Sequence, residues 1–370
     1  MTSSDILKAS NALILQLVPD YIQNLEAYQS ARRIGGKGRY WLNANELANS
    51  PLGHLHTSEL NRYPDFLPDQ LAQTYATYAK LPAEYCLATR GADEAIELLT
   101  RCYSHAHGKH VVISSPSYGM YQFCAQANNS KLYDIPLKNS FSWDIDALIS
   151  QAQNSSIIFI CSPNNPSGNA IEKHELERLL SHTHDHCLVV VDEAYLEFCP
   201  QQEFVELLNN YPNLMLIRTL SKAFGLASLR VGFLLANPIL LQTVRKLIAP
   251  YPIPDPSAQI AIQALSSLNL STVQDSTYCL NRRRDQFSHQ LSNIACVEKV
   301  FPSSTNFVLV RVKQPSPNHC FSFLREQQIV ARNQSHEPSL ANCIRISIGQ
   351  QHELDAVIAA FQKYNQNQSN

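Results

Sequence analysis

A single lysine between two apolar runs is the first residue whose setting suggests chemistry. Lys222 follows LMLI at residues 214–217 and precedes VGFLLA at residues 231–236, and both runs are typical of buried strands. A lysine held among small and apolar side chains is poorly solvated, which lowers its pKa and favours a nucleophilic amine. Such an amine can form a Schiff base with a carbonyl compound, and Arg230 can hold an anionic group of that compound. The alternative is an ordinary surface lysine in a loop.

Four polar residues follow other apolar runs in a similar way. The runs are VVI at 111–113, IIFI at 157–160 and LVVV at 188–191, and the polar residues are Tyr118, Asn165, Asp192 and Tyr195. Helical patterns at residues 91–99 and 172–182 alternate with these runs. Continuous apolar strands that alternate with helices predict a mostly parallel sheet covered on both faces. Ligands of such sheets bind beyond the carboxyl ends of the strands, so these residues and Lys222 are expected to meet there.

This combination suits an aldehyde cofactor of the pyridoxal type. The ring of such a cofactor is an electron sink while its nitrogen is protonated, so a carboxylate must face that nitrogen, and Asp192 is placed for this role. Asn165 and Tyr195 can donate hydrogen bonds to the ring hydroxyl oxygen, and Tyr118 can stack on the ring face. Taken singly, Asp192 is better explained as a helix cap or turn residue, and Tyr118 as a core aromatic.

A helix N-terminus offers a site for the phosphate of that cofactor. A helical pattern begins at GADE, residues 91–94, with acidic residues in its first turn. The free N–H groups and the roughly half positive charge at such an end bind phosphate, and glycine permits a close approach. A well-capped helix explains the same pattern, and both interpretations can hold together. The residues predicted to surround the phosphate are Ala92, Asp93, Glu94, Ser221 and Arg230.

Composition places the chain among globular proteins. It has 370 residues, of which 45% are hydrophobic and 16% charged, enough for one large and one smaller domain. The net charge of −2 and the lack of a long basic run argue against a nucleic-acid partner. No apolar run approaches the roughly 20 residues of a membrane span, and the first residues do not resemble a signal peptide. We therefore expect no membrane partner and a cytoplasmic location.

Cysteine and histidine usage gives no sign of a disulfide framework or a metal centre. The 10 cysteines are scattered, without a CxxC pair, and are expected to be reduced thiols in or near the core. The alternating histidines His182, His184 and His186 could bind a metal. No cysteine or carboxylate framework surrounds them, so we interpret this run as a solvated helix end and predict no metal.

The character of the chain changes after about residue 275. A charged helix predicted from RRR at 282–284 precedes strands at 306–311 and 343–348, with helices between and after them. We predict an α/β architecture with a large domain at 41–275, built on a mostly parallel sheet flanked by helices. A smaller α+β domain at 276–370 follows, joined by an N-terminal segment at 1–40.

Several motifs, in this order and spacing, resemble those of a known family. The fold-type I pyridoxal-phosphate aminotransferases are indicated by GADE at 91–94, PNNPSG at 163–168, DEAY at 192–195 and SKAFGL at 221–226 with Arg230 after it. The chain is more narrowly similar to the histidinol-phosphate aminotransferase family. That resemblance covers nearly the whole chain and rests on YQSARR at 28–33, LNANE at 42–46, NRYP at 61–64, RTLSK at 218–222, IAPYP at 248–252 and RISIG at 345–349.

The resemblance implies a reaction and a set of roles. L-Histidinol phosphate and 2-oxoglutarate would be interconverted with imidazole acetol phosphate and L-glutamate, in histidine biosynthesis, on pyridoxal 5'-phosphate held by Lys222. Asp192, Tyr195, Asn165 and Tyr118 would bind the cofactor ring, and Arg230, Ser221, Ala92 and Asp93 its phosphate. The protein would be a homodimer, with residues 1–40 at the dimer contact and Tyr63 of one chain at the cofactor phosphate of the other.

The substrate's anionic end is expected to bind arginines of the small domain. A planar guanidinium binds carboxylate and phosphate groups bidentately, and Arg332 and Arg345 stand in motif positions that face the active site in the family. Each is otherwise explained as a surface arginine in an ion pair. The substrate-binding residues implied are Tyr28, Asn43, Arg332 and Arg345.

The sequence departs from the family pattern at a few positions, and other functions stay open. Ser228 stands where glycine is usual and Ser167 where threonine is commoner, and residues 47–53 are unconventional. An aromatic or other aminotransferase, or a decarboxylase of phosphorylated amino acids, would share the fold and the cofactor. A cofactor-binding sensor domain of a transcription regulator would need a DNA-binding domain of roughly 60 residues or more before it, which this chain does not offer.

Overall fold

The computed structural model describes residues 39–42, 45, 67–104, 109–249, 251–313 and 318–369. The predicted residues Tyr28, Asn43 and Tyr63 and the segment 47–53 lie outside this part of the chain.

The described strands number from β1 to β13 in chain order. They are β1 (Tyr40–Trp41), β2 (Cys86–Thr89), β3 (His110–Ile113), β4 (Leu132–Asp134), β5 (Ser155–Cys161), β6 (Leu188–Asp192), β7 (Leu214–Thr219), β8 (Gly232–Ala236), β9 (Val297–Val300), β10 (Phe307–Val312), β11 (Ile329–Val330), β12 (Arg332–Asn333) and β13 (Cys343–Ser347).

The described helices are numbered in the same way. They are α1 (Asp69–Tyr78), α2 (Gly91–Tyr103), α3 (Met120–Ala127), α4 (Ile145–Ala152), α5 (Lys173–Thr183), α6 (Pro238–Arg245), α7 (Asp255–Ala264), α8 (Ser267–Ser292), α9 (His319–Glu326) and α10 (Gln351–Ser369).

A seven-stranded sheet carries the functional residues of the larger part of the chain. Its strand order is β2-β8-β7-β6-β5-β3-β4, and the five strands from β7 to β4 run parallel. Strand β8 is antiparallel to both of its neighbours, β7 and β2. The prediction of a mostly parallel sheet flanked by helices is therefore confirmed.

Both faces of this sheet are covered, which explains the continuous apolar runs. All seven residues of β5 are buried, as expected for a strand that packs helices on both sides. One face packs against α2, α3 and α6 through side chains such as Ile96, Cys124 and Val244. The opposite face packs against α1, α4, α5, α7 and α8.

The smaller unit is built on an antiparallel sheet of order β12-β13-β10-β9. Strands β1 and β11 form a separate parallel pair, and Leu42 joins that pair to β13 because it accepts a hydrogen bond from the Ser347 N–H. The predicted strands at 306–311 and 343–348 correspond to β10 and β13. The helix predicted from the arginine run at 282–284 begins earlier, at Ser267, so the predicted boundary at 275 falls inside α8. Polar residues continue along its exposed side, and no glycine or proline interrupts α8 at the predicted boundary.

One close approach sets the position of the α2 N-terminus on the sheet. Gly232, the first residue of β8, lies against the backbone of α2: a Cβ at this position would stand 2.5 Å from the carbonyl carbon of Gly91 and 2.7 Å from the Ala92 nitrogen. Only a residue without a Cβ allows the helix end to pack this closely on the strand.

We expect Gly232→Ala to lower the free energy of unfolding by about 2 to 3 kcal/mol, because the new methyl meets backbone atoms that cannot rotate away. Urea denaturation measures this loss. Gly349→Ala is the matched control, since the Cβ there meets side-chain atoms of Glu353 and Leu42. An equal loss in both variants would contradict the proposed backbone contact.

Candidate functional site

A cavity of about 600 Å³ lies beyond the carboxyl ends of the parallel strands, between the seven-stranded sheet and the smaller unit. It brings together most of the predicted residues that the structure describes. They are Ala92, Asp93, Tyr118, Asn165, Asp192, Tyr195, Ser221, Lys222, Arg230, Arg332 and Arg345.

Lys222 stands on the short connection between β7 and β8. Two backbone hydrogen bonds close this connection, from Leu220 N–H to the Val231 carbonyl and from Leu226 N–H to the Leu220 carbonyl. The side chain of Lys222 is half-buried, and its Nζ lies 5.7 Å from the centroid of the Tyr195 ring. The amine is thus held inside the cavity by a loop whose two ends are fixed to the sheet.

Asp192 is the last residue of β6 and is only 2% exposed. Its Oδ1 accepts a hydrogen bond from the Ala194 N–H at 3.1 Å, and its Oδ2 accepts one from the Tyr121 hydroxyl at 2.7 Å. Burial raises the pKa of Asp192 to about 6, although these two hydrogen bonds act in the opposite direction. A carboxylate in such a place gains most from a positive group bound close to it.

Tyr121 is a functional residue that sequence reasoning missed. It is buried, its ring stacks on Phe159 at a centroid distance of 5.0 Å, and its hydroxyl finds its partner in Asp192. A buried tyrosine hydroxyl needs such a partner. The sequence offered one signal: Tyr121 lies one helical turn beyond Tyr118, at the start of α3.

Tyr195 and Asn165 are held by Arg345 of the smaller unit and by Asn45, which is bonded to that unit. Asn45 donates a hydrogen bond from its Nδ2 to the Tyr195 hydroxyl at 2.9 Å. The Oδ1 of Asn165 accepts a hydrogen bond from Nη1 of Arg345. Burial raises the pKa of Tyr195, so its hydroxyl keeps its proton and can donate a hydrogen bond to a ligand.

Asn45 was part of a quoted motif but was not predicted as a site residue. Its backbone N–H donates to the Ser347 hydroxyl at 3.0 Å, and its carbonyl accepts from Nδ2 of Asn306 at 2.8 Å. These bonds fix Asn45 against β13 and the loop before β10. The position of the Tyr195 hydroxyl therefore depends on the smaller unit.

A group of residues suited to an anion, which we call the phosphate cup, consists of Gly91, Ala92, Asp93, Ser221 and Arg230. Gly91 has a φ of +77°, and a Cβ there would stand 2.7 Å from Nη2 of Arg230, so this position requires glycine. Arg230 itself has a φ of 54°, and it donates to the Asp93 carboxylate at 3.0 Å. The free N–H groups of the first turn of α2 and the guanidinium fit a phosphate.

Two predicted residues of this region point in different directions. The Tyr118 hydroxyl donates to Oδ1 of Asp93 at 2.8 Å, which places its ring at the cavity beside the phosphate cup. Glu94 is not among the lining residues. Its carboxylate accepts hydrogen bonds from the backbone N–H and the Nε of Arg90, at 2.6 and 2.7 Å. Because successive side chains of a helix point about 100° apart, Glu94 faces away when Asp93 faces the cavity.

Arg332 and Arg345 are direct partners across the antiparallel pair β12–β13. Both line the cavity, Arg345 is only 7% exposed, and its guanidinium lies 5.3 Å from the centroid of the Phe307 ring. Like charges placed directly opposite each other repel. An anionic group bound between them offsets that repulsion, so this end of the cavity suits an anionic ligand.

No group of three histidine, cysteine or acidic side chains suited to a metal occurs among the described residues. His182 and His184 are exposed at the end of α5, where their Nδ1 atoms contact the carbonyls of Arg178 and Ser181. Within the same part of the chain, every helix is too short or too polar to cross a membrane.

The fold and the cavity agree with comparisons to known proteins. A family model described as "Aminotransferase class I and II" matches residues 39–361. The fold and the site thus define a class I and II aminotransferase, and the chain belongs to this family.

A narrower relationship is shown by sequence similarity over nearly the whole chain. The chain is 43% identical over 349 residues to the histidinol-phosphate aminotransferase of Pectobacterium carotovorum. This alignment covers 94% of this chain and 97% of that protein. Within the aminotransferases, it is thus a member of the histidinol-phosphate aminotransferase family. The predicted family and enzyme class are confirmed.

Solved structures show the same fold. The histidinol-phosphate aminotransferase from Clostridium acetobutylicum has a TM-score of 0.83 at 24% identity, covering 89% of this chain and 100% of that one. The enzyme of that name from Sinorhizobium meliloti, in complex with pyridoxal-5'-phosphate, has a TM-score of 0.82 at 21% identity, covering 95% and 98%.

Asp192 gives the cofactor-free protein a pH-dependent stability. The pKa of Asp192 is about 6 in the folded protein, compared with an ordinary value of 3.8 that applies to the unfolded chain. The folded state therefore binds the proton more tightly than the unfolded state. The contribution of Asp192 to stability is full below pH 4 and is lost as the pH rises through 6. From the size of this shift we expect a loss of about 2 to 3 kcal/mol.

Asp192→Asn should remove this dependence. The measurement is the free energy of unfolding of the cofactor-free protein between pH 4 and 7, compared between wild type and variant. Asp355→Asn, which changes an exposed carboxylate of α10, is the control and should follow the wild type. Parallel curves for wild type and Asp192→Asn would contradict the role of burial.

Proposed function

We propose that the protein is a pyridoxal-phosphate-dependent aminotransferase that acts on L-histidinol phosphate and 2-oxoglutarate. The products are imidazole acetol phosphate and L-glutamate, and the reaction belongs to histidine biosynthesis. The observation that carries this proposal is one cavity in which Lys222, Asp192 and the phosphate cup face the arginine pair Arg332–Arg345. The similarity to histidinol-phosphate aminotransferases over 94% of the chain supports the choice of substrate.

The cofactor is pyridoxal 5'-phosphate, and the residues present fit it. Asp192 would face the ring nitrogen, Asn165 and Tyr195 would donate to the ring oxygen, and Tyr118 would cover one ring face. The phosphate cup would hold the phosphate. When bound, the cofactor supplies an electron sink for the electron pair that a substrate carbon retains when it loses a proton.

Lys222 has two roles in this proposal. Its Nζ would anchor the cofactor and would be freed when the amino group of the substrate takes its place. The freed Nζ would carry the proton between the substrate carbon and the cofactor carbon. The closed β7–β8 connection keeps Nζ in the cavity during both roles.

The buried environment of Asp192 supports its role beside the ring nitrogen. Little water reaches this carboxylate, so its attraction for a positive pyridinium is much stronger than it would be in solvent. The hydrogen bonds from Tyr121 and Ala194 hold both carboxylate oxygens in fixed directions. Asp192 thereby keeps the ring nitrogen protonated, as the electron sink requires.

One anionic subsite must serve two substrates in turn. Histidinol phosphate carries a phosphate, whereas glutamate and 2-oxoglutarate carry carboxylates. Paired guanidinium groups bind both kinds of anion, so Arg332 and Arg345 can hold either substrate. Tyr28 and Asn43 remain proposed substrate contacts on the strength of the sequence resemblance.

Assembly, domain division and location are part of the same proposal. The protein acts as a homodimer in which Tyr63 and residues 1–40 contribute to shared sites, and sedimentation at working concentration checks this state. The large domain spans 41–275 and the small domain 276–370. A cytoplasmic location is supported by the ten cysteines, all of which are free thiols.

Amino transfer from histidinol phosphate to 2-oxoglutarate by the purified protein is the direct test. We expect Lys222→Ala to lower kcat by more than about 10⁴-fold, because both the anchor and the proton carrier are lost. Borohydride reduction of the wild-type holoenzyme followed by peptide mapping should place the pyridoxyl label on Lys222. A label on another lysine, or an undiminished kcat, would contradict the assignment.

Arg345→Ala should raise KM for histidinol phosphate and for glutamate together, because a contact shared by both substrates is lost. A charge-assisted contact contributes about 1.5 to 3 kcal/mol, or roughly 10- to 100-fold in KM. Arg311→Ala is the control, since Arg311 lies on the neighbouring strand β10 and does not line the cavity. Unchanged constants for both substrates would show that the anionic groups bind elsewhere.

A further inference from the structure

A buried ion pair lies directly behind the catalytic residues and has no part in the chemistry described above. Nε of Arg218 donates to Oε2 of Glu193 at 2.7 Å, and these side chains are 1% and 0% exposed. Glu193 follows Asp192, and Arg218 stands on β7 shortly before Lys222. The pair therefore joins the ends of the two strands that carry the ring partner and the reactive amine.

The pair lies where the backbone ladder between these strands comes to its end. The last register pair of β6 and β7 is Asp192 with Ile217, and the Glu193 N–H then donates to the Ile217 carbonyl at 2.8 Å. Side chains alternate along a strand, so Arg218 and Glu193 face the side of α1 while Asp192 faces the cavity. The ion pair thus extends the connection of the two strands to the residues just outside the ladder.

Glu193 has a second partner that closes the segment containing Tyr195. Its Oε1 accepts a hydrogen bond from the Phe204 N–H at 3.1 Å. This bond brings the chain back to the strand end after the turns at Leu196–Phe198 and Pro200–Gln202. The Tyr195 segment, residues 193–204, therefore begins and ends at the Glu193 carboxylate, which also binds Arg218.

Stability alone is a weak reason for this arrangement. Buried ion pairs lose solvation on folding, and replacing them with apolar or neutral side chains of similar volume is often neutral or stabilising. A buried charge pair does, however, specify one register: a slip of β6 against β7 would leave Arg218 buried without the carboxylate of Glu193. Small displacements at such a place matter, since a misplacement of about 1 Å can cost about 100-fold in rate.

We propose that the Arg218–Glu193 pair is a positioning device that fixes Asp192 and Lys222 relative to each other for the reaction proposed above. It holds β6 and β7 in one register and closes the Tyr195 segment onto β6. Neither residue lines the cavity. The pair acts through Asp192, which precedes Glu193, and through Lys222, which follows Arg218 on the same connection.

A second carboxylate near Arg218 provides a matched control. Oε1 of Glu203 lies 3.1 Å from Nη2 of Arg218, but the Glu203 side chain is 39% exposed and Glu203 lies outside both β6 and β7. Glu203→Gln removes one negative charge from the same guanidinium and leaves the tie between the strands. Glu193→Gln removes the tie while Gln can still accept from the Phe204 N–H.

The test uses three variants of the pair, Glu193→Gln, Arg218→Lys and the double variant Arg218→Met/Glu193→Gln, with Glu203→Gln as the control. For each protein we would measure kcat, KM and Tm. The dissociation constant of pyridoxal phosphate would be measured by adding it to the cofactor-free protein. We expect kcat of the first three to fall by about 10- to 100-fold with KM within about twofold. Cofactor affinity should fall about tenfold in these variants, and the double variant should keep a Tm close to wild type because its pair is neutral. Glu203→Gln should stay within about twofold of wild type in every constant.

Two further comparisons separate positioning from stability and from the proposed function. Arg284→Lys, at a buried arginine of α8 that contacts Thr305, should lower Tm without changing kcat or cofactor affinity. If the double variant keeps both its Tm and its kcat, the pair is not a positioning device. If one of the three variants fails to fold, the cofactor affinity of a variant that does fold is compared with that of Glu203→Gln, and equal affinities overturn the proposal. Failure of the wild type to transfer amino groups would refute the proposed function, whereas the comparison of affinities would still test the pair.

Discussion

A carboxylate buried at the end of a parallel strand is the constraint on which this site depends. Asp192 is almost inaccessible to water, and its burial raises its pKa to about 6. A charge in such a place must be compensated by neighbours or by a ligand. The Tyr121 hydroxyl and the Ala194 N–H compensate part of it, and a positive ring nitrogen would compensate the rest. The buried carboxylate of Asp192 would therefore favour a ligand whose ring carries a positive charge.

The architecture supplies the other groups around this carboxylate from different parts of the chain. The parallel strands bring Asn165, Asp192 and Lys222 to one edge of the sheet, because the carboxyl ends of parallel strands lie at the same edge. Helix α2 adds its N-terminus because Gly232 lets it pack closely on β8. The smaller unit adds its arginines and, through Asn45, the hydrogen bond to Tyr195. In the proposed reaction, the substrate would therefore be held by groups from both units.

Much of this arrangement could be predicted from the sequence, because its signals are local. Apolar runs predicted the strands of the large sheet, and the polar residues after them do meet at one cavity. Sequence reasoning was less successful where contacts join distant segments. The partnership of Tyr121 with Asp192, and that of Arg218 with Glu193, depend on the packing of neighbouring elements, which no local pattern encodes. Glu94 shared a motif with Asp93 but faces Arg90, since motif membership does not specify side-chain direction.

The position of β8 has a consequence for how the chain reaches its native state. This strand is the seventh of the large sheet in chain order, yet it lies between β7, the sixth, and β2, the first. During synthesis, β2 therefore has no strand partner until β8 leaves the ribosome, and the loop that carries Lys222 closes only at that moment. Such non-local pairing slows folding and prolongs the exposure of strand edges. A nascent chain that stalls before Gly232 would hold Asp192 already in its strand but would lack the strand on which the N-terminus of α2 rests.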